Sequence, residues 1–253
     1  MTYFKIDDLD VEIFSDRLSM GQNAANDVSR KIQEILSQKE EINMIFAAAP
    51  SQNEFLQALS SDKSIEWERV NGFHMDEYVG LNIDSPQSFS FFLKEHIFGK
   101  APFKNVFYLN GKASPEEECK RYAALLSKTV IDIVCLGIGE NGHVAFNDPH
   151  VADFNDSQMV KIVDLDNACR MQQVHDKCFS SINEVPEHAL TLTIPTLIMA
   201  TNMFCIVPGK TKSIAVKNTI CCEISEFCPA TILRKKSGAK LYLDSNSASL
   251  IKY

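Results

Sequence analysis

Two adjacent carboxylates, Asp76 and Glu77, lie in the segment 73–81 directly after an apolar stretch. Neighbouring acids are costly to bury and repel each other, so their environment decides how readily either one takes up a proton. A solvated turn is one interpretation of this pair. The other is a general base that the chain holds at the ligand-binding edge of a sheet.

A glycine-rich segment, 137–149, carries the best-placed histidine of the chain. Its three glycines allow the backbone to approach a ligand closely and leave amide groups free to donate hydrogen bonds. Histidine is the side-chain type that most often transfers protons at neutral pH, so His143 is a candidate for that role. Asp148, five residues later, is placed to orient the imidazole ring, whereas a purely structural histidine is the alternative interpretation.

The same segment matches the pattern G-x-G-x-x-G, which is typical of dinucleotide-binding proteins. That pattern must open directly into a helix whose N-terminus holds the pyrophosphate. Here Pro149 opposes an early helix. We therefore expect no nucleotide cofactor.

Two further segments combine the end of an apolar run with polar groups. Ser51 and Glu54 form a capping-box pattern, although a fresh helix N-terminus is also a natural anion site. Lys210 and Lys212 follow Gly209, where they indicate either a phosphate site or solvated lysines.

Short apolar runs alternate with helical patterns along the chain. This alternation predicts an α/β fold of the Rossmann-like, doubly wound type, with a mostly parallel sheet and helices on both faces. In such sheets ligands bind at the carboxyl ends of the strands, where the polar segments lie. The expected strands are 43–48, 69–75, 105–109, 130–137, 189–194, 203–207 and 240–243. The expected helices are 15–39, 89–98 (opened by Ser85 and Pro86), a capping-box helix 114–126, and 209–219.

Composition narrows the functional class. The 253 residues carry a net charge of -8, which argues against a nucleic-acid partner. No apolar stretch is long enough to span a bilayer and no signal peptide is evident, so we expect a cytoplasmic protein without membrane contacts. The eight cysteines lack metal-ligand spacing, which predicts reduced thiols and no bound metal. No linker divides the chain, so 1–253 is expected to be a single domain.

Four segments together resemble the glucosamine-6-phosphate deaminase (isomerase) family, whose relatives include 6-phosphogluconolactonases. The segment 73–81 is similar to the family's FNMDEYVGL, and 136–149 to its LGIGxDGHIAFNEP. The segments 209–212 and 228–233 are similar to its GxxK and PASxL. The resemblance extends from about residue 43 to 233. It implies a cofactor-free, metal-free conversion of an amino-sugar phosphate to a ketose phosphate and ammonia.

The resemblance also implies roles for individual residues. Asp76 is expected to move a proton between C2 and C1, His143 to assist ring opening, and Asp148 to orient His143. Asn141 completes this expected catalytic group. Residues expected to contact the sugar phosphate are Ala48, Ala49, Ser51, Gln52, Glu77, Gly139, Gly142 and Lys212.

Three positions depart from the family pattern. Asn141 stands where the family has Asp, the loop 47–52 replaces a hydroxyl-rich phosphate loop with alanines and a proline, and Gln158 with Met159 replaces an expected phosphate-binding Arg. These changes predict a remodelled anion pocket, for which Arg170, Arg234 and Lys210 are candidate substitutes. An amino sugar other than the family's usual substrate, or one with its charge placed elsewhere, is therefore among the expected substrates.

Two other functions stay open from the sequence. One is a 6-phosphogluconolactonase-like hydrolase or a sugar-phosphate isomerase on the same fold, and the other is a non-catalytic sugar-phosphate sensor. Whether the chain forms a homo-oligomer is also left open.

Overall fold

The computed structural model describes residues 1–252 and contains a central sheet of eight strands. Its spatial order is β1-β2-β11-β10-β7-β3-β4-β6, and every neighbouring pair is parallel except the antiparallel pair β1–β2. This confirms the predicted α/β class with a mostly parallel sheet. The strands are β1 (Thr2–Ile6), β2 (Leu9–Phe14), β3 (Ile42–Phe46), β4 (Val70–His74), β6 (Asn105–Phe107), β7 (Ile133–Leu136), β10 (Asn202–Val207) and β11 (Ala239–Asp244).

Helices cover both faces of this sheet, as predicted. Along β7, Ile133 and Cys135 join one buried cluster, and Val134 and Leu136 join the other. Successive strand side chains point to opposite faces, so a strand that is apolar throughout indicates that both faces are covered. The helices are α1 (Arg17–Leu36), α2 (Asn53–Ser60), α3 (Phe89–Leu93), α4 (Pro115–Leu126), α5 (Asn167–His175), α6 (Ile194–Ile198) and α7 (Ser213–Cys221).

The long helix α1 forms because its apolar residues recur every four positions. Met20, Ala24, Val28 and Ile32 are buried and form one stripe against the sheet. Asp16 caps the helix, since its carboxylate accepts a hydrogen bond from the Ser19 amide at 2.8 Å.

A second, three-stranded antiparallel sheet lies beside the carboxyl ends of the main strands. Its order is β5-β9-β8, formed by Asp76–Tyr78, His188–Leu192 and Val160–Asp164. The predicted strand 189–194 is therefore a strand, but it belongs to this sheet rather than to the parallel one. The strands β1, β2, β5 and β8 were not predicted. With only three residues, β5 leaves almost no periodicity in the sequence.

Three predicted helix starts were wrong in detail. The side chain that caps α3 is Ser88, which accepts from the Phe91 amide, and not Ser85. Ser114 precedes α4 without bonding its amides, and Glu54 pairs with Arg17 instead of completing a capping box. Within residues 1–252, no helix is both long and apolar enough to cross a membrane.

Tyr122 connects α4 to the strand ends that lead into the acidic segment. Its buried hydroxyl lies 2.8 Å from the carbonyl oxygen of His74 and 3.0 Å from that of Phe107, and it accepts a hydrogen bond from the His74 amide at 2.9 Å. The contact fixes the carboxyl end of β4 two residues before Asp76.

We expect Tyr122→Phe to lower the free energy of unfolding by about 1–3 kcal/mol, because it leaves buried backbone groups without their partner. Tyr3→Phe is the matched control, since Tyr3 is exposed and bonds only at the surface, to Asp10. Urea unfolding of the two variants measures the difference. Equal stabilities would contradict the proposed role of Tyr122.

Candidate functional site

A cleft of about 480 Å³, including its solvent-open mouth, lies at the carboxyl edge of the main sheet. The segments that follow β3, β4, β7 and β10 all contribute to its wall, as expected for a parallel sheet. The lining residues are Ala47, Ala48, Ala49, Ser51, Met75, Asp76, Phe89, Gly137, Ile138, Gly139, His143, Ala145, Phe146, Gln172, Gln173 and Lys212.

Asp76 is a nearly buried carboxylate, 6% exposed, in the wall of this cleft. Its Oδ1 atom has no hydrogen-bond partner among residues 1–252. Burial, followed by the nearby charge of Glu77, raises the pKa of Asp76 well above its ordinary value. An unpartnered carboxylate with raised basicity is what a general base requires.

Glu77 does not line the cleft, although it was predicted to bind substrate. It is 1% exposed, and its two oxygens accept hydrogen bonds from the amides of Tyr78, Phe89 and Ser90 and from the Ser90 hydroxyl, at 2.7–3.1 Å. Burial raises the pKa of Glu77, while these bonds oppose the rise. Because adjacent strand residues face opposite sides, β5 directs Asp76 to the cleft and Glu77 to the start of α3.

Two glycines make room for the His143 ring and its loop. A Cβ atom on Gly139 would lie 2.2 Å from Cε1 and Nε2 of His143, so any side chain at this position would clash with the imidazole ring. Gly142 has a φ of +90°, and a Cβ there would lie 2.6 Å from Sγ of Cys228. Gly142 packs against Cys228 and is not among the residues that line the cleft, so its expected contact with substrate stays a prediction.

His143 pairs with Asp148 behind the cleft wall. Nδ1 of His143 lies 2.9 Å from Oδ1 of Asp148, a contact that deviates from the line of an ideal hydrogen bond. Burial tends to raise the pKa of Asp148. The contact with His143 and a hydrogen bond from Asn141 outweigh this effect, so the net pKa lies below its ordinary value. The shorter aspartate therefore reaches the ring at this position.

Asn141 organises the carboxylates instead of bonding the imidazole ring. Its amide group donates to Asp148 at 2.9 Å and to Asp166 at 3.1 Å, while its Oδ1 accepts from the backbone amide of His143. An aspartate at this position has no hydrogens to donate and would add a third negative charge. Asn141 thus fits the two acids that surround it.

Lys212 is the one lysine or arginine among the lining residues that the structure describes. It is 5% exposed, and burial lowers its pKa, an effect that the charges of Asp176 and Glu140 oppose. Gln172 and Gln173 of α5 also reach the cleft, and no sequence motif marked them. Gln172 accepts a hydrogen bond from the Glu140 amide at 2.8 Å.

The candidate replacements for a phosphate-binding arginine lie elsewhere. Arg170 donates to the carbonyls of residues 182 and 185, Arg234 pairs with Asp7, and Lys210 is exposed outside the cleft lining. Gln52, predicted to bind substrate, is buried behind the wall and donates to Ser51 and to the carbonyl of residue 206.

The remaining predicted substrate contacts reach the cleft. They are Ala48, Ala49, Ser51, Gly139 and Lys212, and they share its lining with Asp76 and His143.

Comparison with known proteins reveals relatives along most of the chain. The family profile described as glucosamine-6-phosphate isomerases/6-phosphogluconolactonase matches residues 15–242. Glucosamine-6-phosphate deaminase of Bacillus cereus (strain B4264) is 34% identical over 220 residues, which cover 87% of this chain and 82% of that protein. The Bacillus thuringiensis (strain Al Hakam) protein of the same name is equally similar.

Solved structures agree with this relationship. A monomeric glucosamine-6-phosphate deaminase superposes with a TM-score of 0.87 at 28% identity, covering 95% of this chain and 99% of that one. The 6-phosphogluconolactonase of Thermotoga maritima superposes with a TM-score of 0.77 at 22% identity, covering 93% and 99%. At that lower identity the second likeness supports the fold alone.

We expect Asp76→Asn to stabilise the protein at neutral pH. A carboxyl whose pKa is raised in the folded state binds more protons there than in the unfolded chain, so the free energy of unfolding falls as pH rises above the ordinary pKa of 3.8. Each unit of raised pKa costs about 1.4 kcal/mol, and asparagine removes that cost.

Urea unfolding at about pH 7 and about pH 4 measures this effect, and the stability gain should shrink at the lower pH. Asp84→Asn is the control, because its side chain is 73% exposed. A gain that is the same at both pH values, or absent, would show that Asp76 is not a destabilising buried charge.

Proposed function

Because the chain belongs to the glucosamine-6-phosphate isomerase/6-phosphogluconolactonase family, we propose that it converts a glucosamine-6-phosphate-type amino sugar to a ketose phosphate and ammonia. The observation that carries this proposal is the unpartnered, buried carboxylate of Asp76, which shares one cleft with His143. A small-molecule sugar phosphate is the proposed partner, in the carbohydrate metabolism of the cytoplasm.

The proposed reaction begins with the opening of the sugar ring. His143 accepts the proton of the C1 hydroxyl and delivers it to the ring oxygen O5 as the C1–O5 bond breaks, which gives the open-chain aldehyde. Asp148, 2.9 Å from Nδ1 of the imidazole, holds the ring and stabilises its protonated form.

Isomerisation follows at C2 and C1. The carbonyl acidifies the C2 proton, which Asp76 removes and then delivers to C1, so that the C2–N bond becomes an imine. Water adds to this imine and ammonia leaves, which gives the ketose phosphate. The overall reaction consumes one water and releases one ammonia, so atoms balance without an external oxidant.

The part of the cleft proposed to bind the phosphate has few side-chain hydrogen-bond donors. Three alanines, 47–49, line it where the family pattern has hydroxyl side chains, Lys212 supplies the positive charge, and Ser51 supplies a hydroxyl. We propose that Lys212, Ser51 and the backbone amides of this loop hold the phosphate. The second candidate substrate is an amino sugar with a differently placed anion. Alanines 47–49 favour it, because their side chains cannot donate hydrogen bonds to a phosphate.

Purified protein should release ammonia and fructose 6-phosphate from glucosamine 6-phosphate. Asp76→Asn should lower kcat by at least about 100-fold, the usual worth of a general base, whereas Asp84→Asn should retain full activity. An active Asp76→Asn variant would refute the assigned base. Hydrolysis of 6-phosphogluconolactone instead would support a lactonase, and binding of sugar phosphates without turnover would support a sensor.

Lys212→Ala should raise KM for the phosphorylated substrate by about 10- to 100-fold with a smaller effect on kcat, because a charge-assisted hydrogen bond is worth about 1.5–3 kcal/mol. Lys210→Ala is the matched control, two residues away but exposed and outside the lining. Steady-state kinetics on both variants makes the comparison. Equal KM values would rule out Lys212 as the phosphate ligand.

A further inference from the structure

A cluster of three different metal-ligand types lies directly behind the cleft wall. A ring nitrogen of His143, a carboxylate oxygen of Asp148 and Sγ of Cys169 lie within 4.8 Å of one another, and all three residues are buried. Cys169 belongs to α5 and is 0% exposed, and it does not line the cleft. The reaction proposed above has no use for this thiol.

The imidazole nitrogen in this cluster is incompletely satisfied. Nδ1 of His143 is buried and has no well-directed hydrogen bond among the residues described, although Asp148 lies 2.9 Å away. Buried polar atoms of this kind are uncommon and need a physical explanation. A ligand between the ring, the carboxylate and the thiol would provide one.

We propose that His143, Asp148 and Cys169 form a binding site for Zn²⁺, and that Zn²⁺ bound there inhibits the enzyme. Zinc accepts sulfur, nitrogen and carboxylate ligands at about 2.0–2.3 Å in a tetrahedron, which places ligand atoms about 3.3–3.7 Å apart. The observed separations, from 2.9 Å to at most 4.8 Å, bracket that range. Small side-chain rotations therefore suffice to close the site.

The surroundings of the cluster suit a cation. Asn141 donates hydrogen bonds to both Asp148 and Asp166, so it orients the two carboxylates as outer groups orient metal ligands. Asp148 also belongs to a second cluster with Asp166 and the exposed His150. The exposed His150 shows that Asp148 lies close to the protein surface, and the proposed fourth ligand is Asp166 or a water molecule.

Inhibition follows from the atom that the metal occupies. Zinc on Nδ1 of His143 displaces the contact with Asp148 and holds the ring in one protonation state, so the ring no longer cycles between acid and base. Coordination also transfers the thiol proton of Cys169 to solvent, so zinc should bind more tightly as pH rises.

Metal binding is measured first, with Co²⁺ as a spectroscopic probe and Zn²⁺ as competitor. The wild-type protein should bind one equivalent and develop the near-ultraviolet absorption band of a cobalt–thiolate bond, which Zn²⁺ abolishes. Cys169→Ala and Cys169→Ser should lose this band while still showing a single cooperative unfolding transition, shifted modestly because Cys169 is buried. The control is the double variant Cys221→Ser/Cys222→Ser, which removes the two exposed thiols and should retain the band.

Turnover of glucosamine 6-phosphate gives the second readout, which depends on the proposed function, whereas the cobalt band does not. Zn²⁺ should inhibit the wild type reversibly, with activity restored by a chelator. Cys169→Ala should keep its metal-free kcat/KM and require at least about tenfold more Zn²⁺ for inhibition. A missing cobalt band, or inhibition that is unchanged by both Cys169 variants, would overturn the proposed site.

Discussion

The site depends on one costly arrangement, the burial of the Asp76 carboxylate, whose Oδ1 atom has no hydrogen-bond partner in residues 1–252. Removing a charge from water opposes folding, so the rest of the structure must hold this residue in place. The strand β5 does so from one side, because Asp76 pairs with Thr191 of β9. Tyr122 does so from the other, because its hydroxyl fixes the end of β4. The same burial that costs stability raises the pKa of the carboxyl, which suits Asp76 to the base role proposed for it.

The other polar groups of the site divide into those that face the cleft and those that support them. Glu77 gives both oxygens to the start of α3, so its charge is used to hold structure. Asp148 and Asn141 lie behind His143 and set the position of its ring and backbone. The absence of a side chain at Gly139 matters as much as any contact, since a methyl group there would occupy the place of the imidazole.

The lining of the cleft is better supplied with groups for proton transfer than with groups for anion binding. Asp76 and His143 are the groups that the proposed proton transfers need. For the proposed anion the lining offers Lys212, whose charge is offset by Asp176 and Glu140, together with three alanines. In the proposed reaction the anion therefore relies on a single buried ammonium group more than on a dense set of donors. This asymmetry agrees with the departures at 47–52, and none of the candidate arginines reaches the cleft to reverse it.

The sequence by itself determined the α/β class, six of the seven parallel strands to within three residues, and the convergence of Asp76 and His143 at one sheet edge; it missed the parallel strand β2. These follow from local periodicity and from the rule that parallel strands end at a common edge. Tertiary structure alone decided that Glu77 turns away from the cleft, that Gln172 and Gln173 enter it, and that Cys169 lies beside Asp148. The reason is that the register of β5 against β9 selects which of two adjacent acids faces inward, and the docking of α5 selects which of its side chains meet a distant loop. Both choices rest on contacts between residues far apart in the chain, and such contacts leave no local pattern.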